Sequence, residues 1–193
     1  SFGLEMHLLT PSEAKDLWPL MDTGDVLGAA FLPSDGQASP SDITQALAKG
    51  ARNHGVMILE NIQVTGVRSE NGRVSGIDTS SGPVDCELLV NCAGQWAREV
   101  GQLAGVNVPL VSVQHQYLIT ETIDGVTSDL PTLRDPDRLT YFKEEVGGLV
   151  MGGYEPNPVG WAQAGFPKNF AFSLLDSDWD HFEQLMVQAL PRV

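Results

Sequence analysis

The sequence predicts a mixed α/β (α+β) fold, in which part of a doubly wound unit is joined to an antiparallel sheet flanked by helices. Three observations lead to this prediction. Two short runs, 56–59 and 87–91, are apolar throughout, as strands buried on both faces of a parallel sheet are. A later stretch, 108–158, alternates apolar and polar residues as antiparallel strands do. Patterns typical of amphipathic helices occur before, between and after these strands.

The first 55 residues predict two helices around a short strand. Residues 10–13 (TPSE) have the composition of a capping box with Pro in the first turn, and Pro19 ends the helix that they begin. Residues 26–32 (VLGAAFL) predict a buried strand. A second helix begins at Ser39-Pro40 and ends at Gly55. None of these elements requires a functional role, because a helix packed on a sheet explains each pattern.

The next segment predicts strands around a small meander. Residues 56–59 (VMIL) and 87–91 (ELLVN) predict strands covered on both faces. Between them, Asn71-Gly72 is a hairpin signal that is followed by a strand at 74–78, and Gly82-Pro83 predicts a further turn. In doubly wound folds, such a meander is inserted before a returning parallel strand.

A glycine turn follows the second apolar strand. The chain turns at Gly94, and a helix then runs to Ala104. Because Gly94 has no Cβ, a ligand can approach the backbone there, and the N–H groups of the following helix can meet an anion or an electron-rich ring. Most junctions of this kind are only tight turns, so the residues alone leave both interpretations open.

Residues 108–158 hold the most informative polar groups. With a period of two, His115 lies in the middle of an otherwise apolar strand face, and Tyr141 lies in a second strand, 139–143, that a Gly147-Gly148 turn connects to a third. Polar groups that face an apolar space are typical of small-molecule sites. A packed core histidine and a packed tyrosine explain the same pattern. The predicted apolar face consists of Val111, Val113, His115, Tyr117 and Ile119.

The last residues predict an amphipathic helix at 176–190, capped by Asp176 or Ser177. We interpret its aromatic stripe as packing rather than as a cofactor contact. Because the chain begins without Met and stops directly after this helix, we expect it to be an internal piece of a longer protein. The stripe consists of Trp179, Phe182, Met186 and Ala189.

Composition and charge exclude several classes of function. A net charge of -14 and a pI near 4.4 repel phosphate backbones and anionic lipids, so neither nucleic-acid nor membrane binding is expected. Cys86 and Cys92 are predicted to be reduced thiols and lack the spacing of a zinc site, so no metal site is predicted. The sequence contains no dinucleotide fingerprint, phosphate loop or hydrolase motif. We interpret the acidic residues near Asp135 as a solvated turn.

Three long segments resemble a known family. They are ELLVNCAGQWAREVGQLAGVNVPLVSVQHQYLITE, LPTLRDPDRLTYFKEEVGGLVMGGYEPNP and FAFSLLDSDWDHFEQLM. They resemble the dimethylglycine and sarcosine dehydrogenases, which belong to the D-amino-acid-oxidase-like FAD enzymes. The resemblance covers essentially the whole chain and is densest from Glu87 to Pro158.

The resemblance implies a FAD-dependent oxidoreductase that oxidises dimethylglycine or sarcosine by hydride transfer to the flavin. The amine must lose its proton first, because a cationic nitrogen opposes the developing iminium. A His and a Tyr in an apolar pocket suit that need, and the resemblance assigns these catalytic roles to His115 and Tyr141. It also implies four positions that contact the flavin, which are Val64, Ala93, Gly94 and Trp96.

Several parts that the family implies are missing from the sequence. They are the N-terminal dinucleotide fingerprint, the His that carries covalent flavin, a later Gly-rich segment and a separate tetrahydrofolate-binding domain. We therefore expect the isolated chain neither to hold FAD tightly nor to turn over. The predicted domains are a substrate-binding antiparallel sheet at 1–36 and 108–175, the middle part of a FAD-binding domain at 37–107, and a helix at 176–193 that leads to a missing C-terminal part.

The resemblance also implies partners and a location. The substrate is a small N-methylglycine, and either oxygen or an electron-transfer flavoprotein takes the electrons. A bacterial protein of this kind is expected in the cytoplasm and a eukaryotic one in the mitochondrial matrix. Because some relatives resemble regulatory subunits of other complexes, a non-catalytic homologue that acts as a regulatory or binding module is the alternative function.

Overall fold

The computed structural model describes residues 3–168 and 170–193, which form two compact units. The first unit contains the chain up to Ala38 together with Gln114–Pro158 and Ser173–Val193, and the second contains Ser39–Val113 and Val159–Phe172. These limits depart from the predicted domain ranges, because 108–113 and 159–172 lie in the second unit and the final helix lies in the first. The roles assigned to the ranges stay predictions. Positions 1, 2 and 169 of those ranges lie outside the described residues.

The mixed α/β class predicted from the sequence is confirmed. Within the described residues, every pair of hydrogen-bonded strands is antiparallel. The elements in chain order are β1 (His7–Leu9), α1 (Pro11–Leu17), β2 (Ala29–Phe31), α2 (Pro40–Asn53), β3 (Val64–Glu70), β4 (Arg73–Thr79), β5 (Gly82–Asp85), α3 (Ala97–Leu103), β6 (Ser112–Val113), β7 (Tyr117–Ile119), β8 (Leu133–Asp135), β9 (Thr140–Glu145), β10 (Gly148–Gly153), β11 (Gly160–Trp161) and α4 (Trp179–Ala189).

The first two helices begin where their capping signals place them. At α1, the Thr10 hydroxyl oxygen accepts the Glu13 N–H at 3.3 Å, and the Glu13 carboxylate accepts the Thr10 N–H at 2.8 Å. This reciprocal pair is the predicted capping box. At α2, the Ser39 hydroxyl oxygen accepts the Asp42 N–H at 3.3 Å, and Gly55 follows the helix with a positive φ of 81°.

Helix α4 begins later than predicted. The predicted cap, Asp176 or Ser177, is wrong because the Asp178 carboxylate accepts the His181 N–H at 2.9 Å and begins the helix there. Trp179 in the first turn is 61% exposed, so the packed face starts one turn further on. Among the described residues, none of the helices is long and apolar enough to cross a membrane.

The core of the first unit lies under one face of a four-stranded sheet with the order β7-β10-β9-β8. Trp18, which follows α1, packs its ring 6.1 Å from that of Phe142 on β9 and donates its indole N–H to the Pro131 carbonyl at 2.7 Å. A Cβ at Gly153 on β10 would lie 2.7 Å from the side chain of Leu185, which shows how closely α4 packs on the sheet. The buried residues of this core are Ala14, Trp18, Met21, Leu130, Phe142, Leu149, Met151, Phe182, Leu185 and Ala189.

A buried arginine ties the end of the chain to the rest of the first unit. The Arg192 side chain is 6% exposed and lies 2.8 Å from carboxylate oxygens of both Asp25 and Asp135. Its guanidinium also donates to the Asp22 carbonyl oxygen, and the Asp22 N–H donates to the Arg192 carbonyl oxygen at 2.7 Å. The predicted solvated turn is therefore wrong for Asp135, because a guanidinium covers its carboxylate.

The second unit contains the predicted meander. Strands β3, β4 and β5 form an antiparallel sheet, and helix α3 packs against β3. The hairpin turns at Asn71-Gly72, which have φ values of 51° and 76° as a primed turn requires. The predicted turn at Gly82-Pro83 is wrong, because these residues begin β5. This strand lies at the edge of the sheet, where a Pro without an N–H is tolerated.

Two of the predicted buried strands do not form, and a third is shorter than predicted. Residues 56–59 and 87–91 are not strands, and Leu88 is 87% exposed. A strand is stabilised by hydrogen bonds to a neighbour, and none of the described strands pairs with either run. The predicted strand at 26–32 is limited to β2, which pairs with β1 and is only partly buried.

Candidate active site

One face of the four-stranded sheet carries the predicted catalytic residues. Residues that are directly paired across antiparallel strands point to the same face. Phe142 and Met151 lie on the opposite face and pack into the core. The face that carries the predicted catalytic residues therefore points away from the core. The register places four residues in one row across β7, β10, β9 and β8, namely Tyr117, Gly152, Tyr141 and Arg134.

The structure brings His115 and Tyr141 together. The Nε2 of His115 lies 3.3 Å from the hydroxyl oxygen of Tyr141, which is within hydrogen-bond distance. Their rings lie 6.4 Å apart with an interplanar angle of 25°. His115 precedes β7 by two residues and therefore extends the line of Tyr117 on the same face. Two residues 26 positions apart in the sequence thus form one polar pair.

Gly152 creates the space that Tyr141 occupies. A Cβ at Gly152 would lie 2.3 Å from the Tyr141 hydroxyl oxygen and 2.5 Å from the ring carbon that carries it. Contacts this short do not occur, so any side chain here would force the tyrosine ring away. Sequence reasoning missed Gly152, which belongs to the strand GLVMGG and has no unusual backbone angle to mark it.

Two further side chains extend the pair into a cluster. The ring of Tyr154, just after β10, lies 6.2 Å from the rings of both His115 and Tyr141. The guanidinium carbon of Arg134 lies 4.9 Å from the centre of the Tyr154 ring, a cation–π distance. In the described part of the chain, Arg134 takes part in none of the ion pairs. Sequence reasoning missed both residues.

A buried carboxylate lies behind the histidine. The Oε2 of Glu155 is 3.6 Å from the Nδ1 of His115, and the Glu155 side chain is only 5% exposed, against 41% for that of His115. At this distance the two form an ion pair when the imidazole is protonated. The imidazole therefore has a carboxylate at one nitrogen and a phenol at the other.

Burial raises the pKa of the Tyr141 hydroxyl above its ordinary value. The neighbouring hydroxyls of Tyr154 and Tyr117 and the carboxylate of Glu155 act in the same direction, because each adds negative charge or would do so on ionising. Tyr141 is therefore a neutral phenol at physiological pH. As such it can donate one hydrogen bond and accept others.

The strand face that was predicted to be apolar is the more exposed of the two faces. The predicted alternation is present from 111 to 119, but Val113, Tyr117 and Ile119 are each at least half exposed. Leu118 on the other side packs against the core, which leaves His115 and its neighbours open. The predicted single strand is also wrong, since 114–116 interrupts it between β6 and β7.

The predicted flavin contacts lie in the second unit. Ala93 precedes a 3₁₀ turn at Gly94–Trp96, and its N–H donates to the Asn91 side chain at 3.2 Å. Val64 is the first residue of β3, the strand on which α3 packs. The structure therefore places the four predicted contacts in one unit and the His115–Tyr141 pair in the other.

The Gly94–Trp96 turn has features that fit a flat cofactor. Gly94 has a φ of 55°, and a Cβ built there would meet open space, so the backbone can be approached from this side. The Trp96 ring is 38% exposed and lies 5.4 Å from the Phe166 ring. These residues can supply one wall of a FAD site. Among the described residues, no group of three or more His, Cys, Asp or Glu side chains could hold a metal ion.

Comparison with known proteins agrees with these features. A family model described as FAD dependent oxidoreductase matches residues 1–192. The chain belongs to the FAD-dependent oxidoreductase family. The resemblance noted in the sequence is thereby confirmed, and the family implies FAD as its cofactor.

Relatives within the FAD-dependent oxidoreductase family are similar over the whole chain. Mitochondrial sarcosine dehydrogenase of Homo sapiens is 40% identical in an alignment that covers 100% of this chain and 21% of that protein. Mitochondrial dimethylglycine dehydrogenase of Rattus norvegicus is 34% identical over 98% of this chain and 23% of that protein. The chain therefore spans about a fifth of the length of these curated relatives.

A solved structure supports the fold. L-proline dehydrogenase from P. horikoshii superimposes with a TM-score of 0.80 and is 26% identical. The match covers 99% of this chain and 49% of that one. Both units of the chain therefore occur in a single known protein.

Proposed function

We propose that this chain is part of a FAD-dependent oxidoreductase that oxidises N-methylated glycines, dimethylglycine or sarcosine. The observation that carries the proposal is the His115–Tyr141 pair, which lies on an open face of the sheet with a guanidinium one strand away. The names of the two relatives support the same substrates.

The proposed role of the pair is to take a proton from the substrate nitrogen. When bound, FAD supplies the acceptor for a hydride from a carbon next to that nitrogen. A protonated amine has no lone pair to stabilise the cation that develops on this carbon. Tyr141 can accept a hydrogen bond from the ammonium group while its own hydroxyl donates to His115. The pair thereby converts the bound ammonium into the reactive amine.

Arg134 is the group on this face that suits the substrate carboxylate. It is directly paired with Tyr141 across β8 and β9, and its guanidinium lies over the Tyr154 ring. A guanidinium can bind a carboxylate through two parallel hydrogen bonds. The tyrosine rings beside it can contact a methylated ammonium through cation–π attraction. One face of the sheet thus carries a partner for each charged end of an N-methylglycine.

Other parts of the proposal rest on the family alone. FAD would be held in part by Val64 and by the turn at 93–96, and a tetrahydrofolate domain would lie outside this chain. Electrons would pass to oxygen or to an electron-transfer flavoprotein. The location would be the mitochondrial matrix in a eukaryote or the cytoplasm in a bacterium, and the names of the two relatives describe those proteins as mitochondrial.

The test is steady-state kinetics of the full-length protein that carries this chain, with sarcosine and dimethylglycine. We expect His115→Ala to lower kcat/KM by about 100-fold, the low end of what a positioned proton acceptor contributes. Arg134→Gln should act mainly by raising KM, because it removes the carboxylate partner. Wild-type kcat/KM in His115→Ala would remove this residue from the mechanism. A full-length protein that binds neither FAD nor either amine would favour the regulatory or binding-module alternative.

A further inference from the structure

The mechanism proposed above leaves the buried Glu155 without a role. Its carboxylate oxygen lies 3.6 Å from Nδ1 of His115, while Nε2 of the same ring lies 3.3 Å from the Tyr141 hydroxyl. Because 95% of its side chain is covered, a substrate cannot readily reach this carboxylate. Glu155 therefore acts on the reaction through the groups beside it, and the imidazole of His115 is the one within 3.6 Å of its carboxylate.

The chemistry of the three groups decides where the imidazole proton lies. An ionised carboxylate only accepts hydrogen bonds, so Glu155 favours the tautomer of neutral His115 that carries its proton on Nδ1. Nε2 is then an acceptor, and the Tyr141 hydroxyl donates to it. At 3.6 Å the contact is an electrostatic one, and the negative carboxylate favours the proton on the nearer ring nitrogen, Nδ1.

We propose that Glu155 is a positioning residue that holds His115 in this tautomer, so that Tyr141 takes the proton from the substrate amine. This inference rests on the proposed function and deepens it. With the opposite tautomer, Nε2 would donate to the tyrosine oxygen, and the pair could not accept a proton from the amine. The carboxylate thus sets the direction in which the proton moves.

The proton transfer balances without another reactant. The substrate ammonium gives one proton to the Tyr141 oxygen, while the Tyr141 hydroxyl proton passes to Nε2 of His115. The ring becomes an imidazolium with a proton on each nitrogen, and the Glu155 carboxylate compensates its charge. The amine is left neutral with its lone pair free, and no electron moves in this step.

The neutral state of the Tyr141 hydroxyl agrees with a role as a proton relay rather than as a tyrosinate that is ionised before the substrate binds. Burial and the neighbouring groups raise the pKa of its hydroxyl, which disfavours a free tyrosinate. A neutral phenol that gives up one proton as it receives another never has to carry the full negative charge. The raised pKa is therefore no obstacle to this role.

Glu155→Gln in the full-length protein tests the proposal. Its amide oxygen can still accept from Nδ1, but the charge that stabilises the imidazolium is lost. We expect kcat for amine oxidation to fall about 10- to 100-fold with little change in KM, as for other side chains that act through a catalytic partner. Glu155→Asp keeps the charge and should restore part of the loss. Glu183→Gln, an exposed change on α4, is the matched control and should keep the wild-type kcat.

A second measurement does not depend on turnover. In protein labelled with ¹⁵N-histidine, the ring signals of His115 can be identified by their loss in His115→Asn. They should show the Nδ1–H tautomer in the wild type and a mixture of tautomers in Glu155→Ala. An unchanged kcat in Glu155→Gln, or an unchanged tautomer in Glu155→Ala, would overturn the proposal. If the tautomer responds but neither N-methylglycine is oxidised, the link between Glu155 and His115 stands and the proposed function fails.

Discussion

The glycine at position 152 determines where the hydroxyl of Tyr141 can lie. The ring of this tyrosine extends over Gly152 on the neighbouring strand, and its oxygen reaches His115 at 3.3 Å. Since a Cβ at Gly152 would overlap both the oxygen and the carbon that carries it, the polar pair and the glycine depend on each other. The geometry of the candidate site is thus set by a residue with no chemistry of its own.

Gly152→Ala should therefore separate Tyr141 from His115. The tyrosine side chain can move because its far end makes the clash, so we expect the sheet to persist with a loss of about 1–3 kcal/mol in the free energy of unfolding. Activity of the full-length protein should fall further than this loss of stability explains. Urea unfolding and kcat, measured on the same preparation, check both effects.

The matched control for this prediction is Gly50→Ala. Gly50 lies inside α2, and a Cβ there meets open space, so this change should stabilise the protein by about 0.5–1 kcal/mol. Wild-type stability together with wild-type kcat in Gly152→Ala would contradict the role that we assign to the glycine.

The turn between β9 and β10 shows why the sequence could not identify all of the site. The β9–β10 hairpin turns at residues 146–147, with φ values of 51° and 80°, and this pairs Tyr141 with Gly152. The sequence favours a turn at 147–148 instead, because a β-branched valine rarely adopts a positive φ. That turn would pair Tyr141 with Tyr154. The predicted roles of His115 and Tyr141 came from the family resemblance, whereas contacts across strands need the register.

At the scale of elements, a group of charged side chains joins the end of α4 to the loop before β2 and to β8. The carboxylate of Asp25 accepts hydrogen bonds from Arg138 at 2.6 Å and lies 2.8 Å from Arg192. These hydrogen bonds lower the pKa of Asp25 to about 2 from its ordinary value of 3.8. The folded state therefore binds a proton at the Asp25 carboxyl more weakly than the unfolded chain does.

The sign of this shift predicts acid sensitivity. A carboxyl whose pKa is lowered by folding stabilises the protein above its ordinary pKa, and this contribution is lost as the pH falls through about 2. We expect Asp25→Asn to be less stable than the wild type at neutral pH and to lose less stability between pH 4 and pH 2. Urea midpoints across this range measure the difference, with the exposed Asp176→Asn as control. Parallel acid profiles for the wild type and Asp25→Asn would contradict the assignment.

Element predictions succeeded where the signal is local and failed where it is not. The capping box of α1 and the turn at Asn71-Gly72 were predicted correctly, because neighbouring residues determine them. The apolar runs 56–59 and 87–91 were predicted as strands, but a strand also needs a partner, which composition does not supply. Likewise, Asp135 was predicted to lie in a solvated turn. In the structure its carboxylate accepts a hydrogen bond from the guanidinium of Arg192, which lies 57 positions later in the sequence.

At the scale of the whole molecule, the predicted functions divide between the two units. The proposed substrate groups lie in the first unit, and the four proposed flavin contacts lie in the second. Three of these four contacts lie at the Gly94–Trp96 turn or directly before it. Pockets that hold ligands firmly bury about 70–90% of the ligand surface, and a single turn covers far less of a molecule the size of FAD.

The 193-residue chain should therefore purify without flavin, whereas the full-length protein that carries it should retain FAD. The chain spans 21% of human sarcosine dehydrogenase, so most of the residues that could enclose the cofactor are expected outside it. Absorbance spectra of both proteins, prepared in parallel with added FAD and then desalted, measure the retained flavin. Circular dichroism of the short chain shows in the same experiment whether it is folded. A folded short chain with stoichiometric flavin would contradict this prediction.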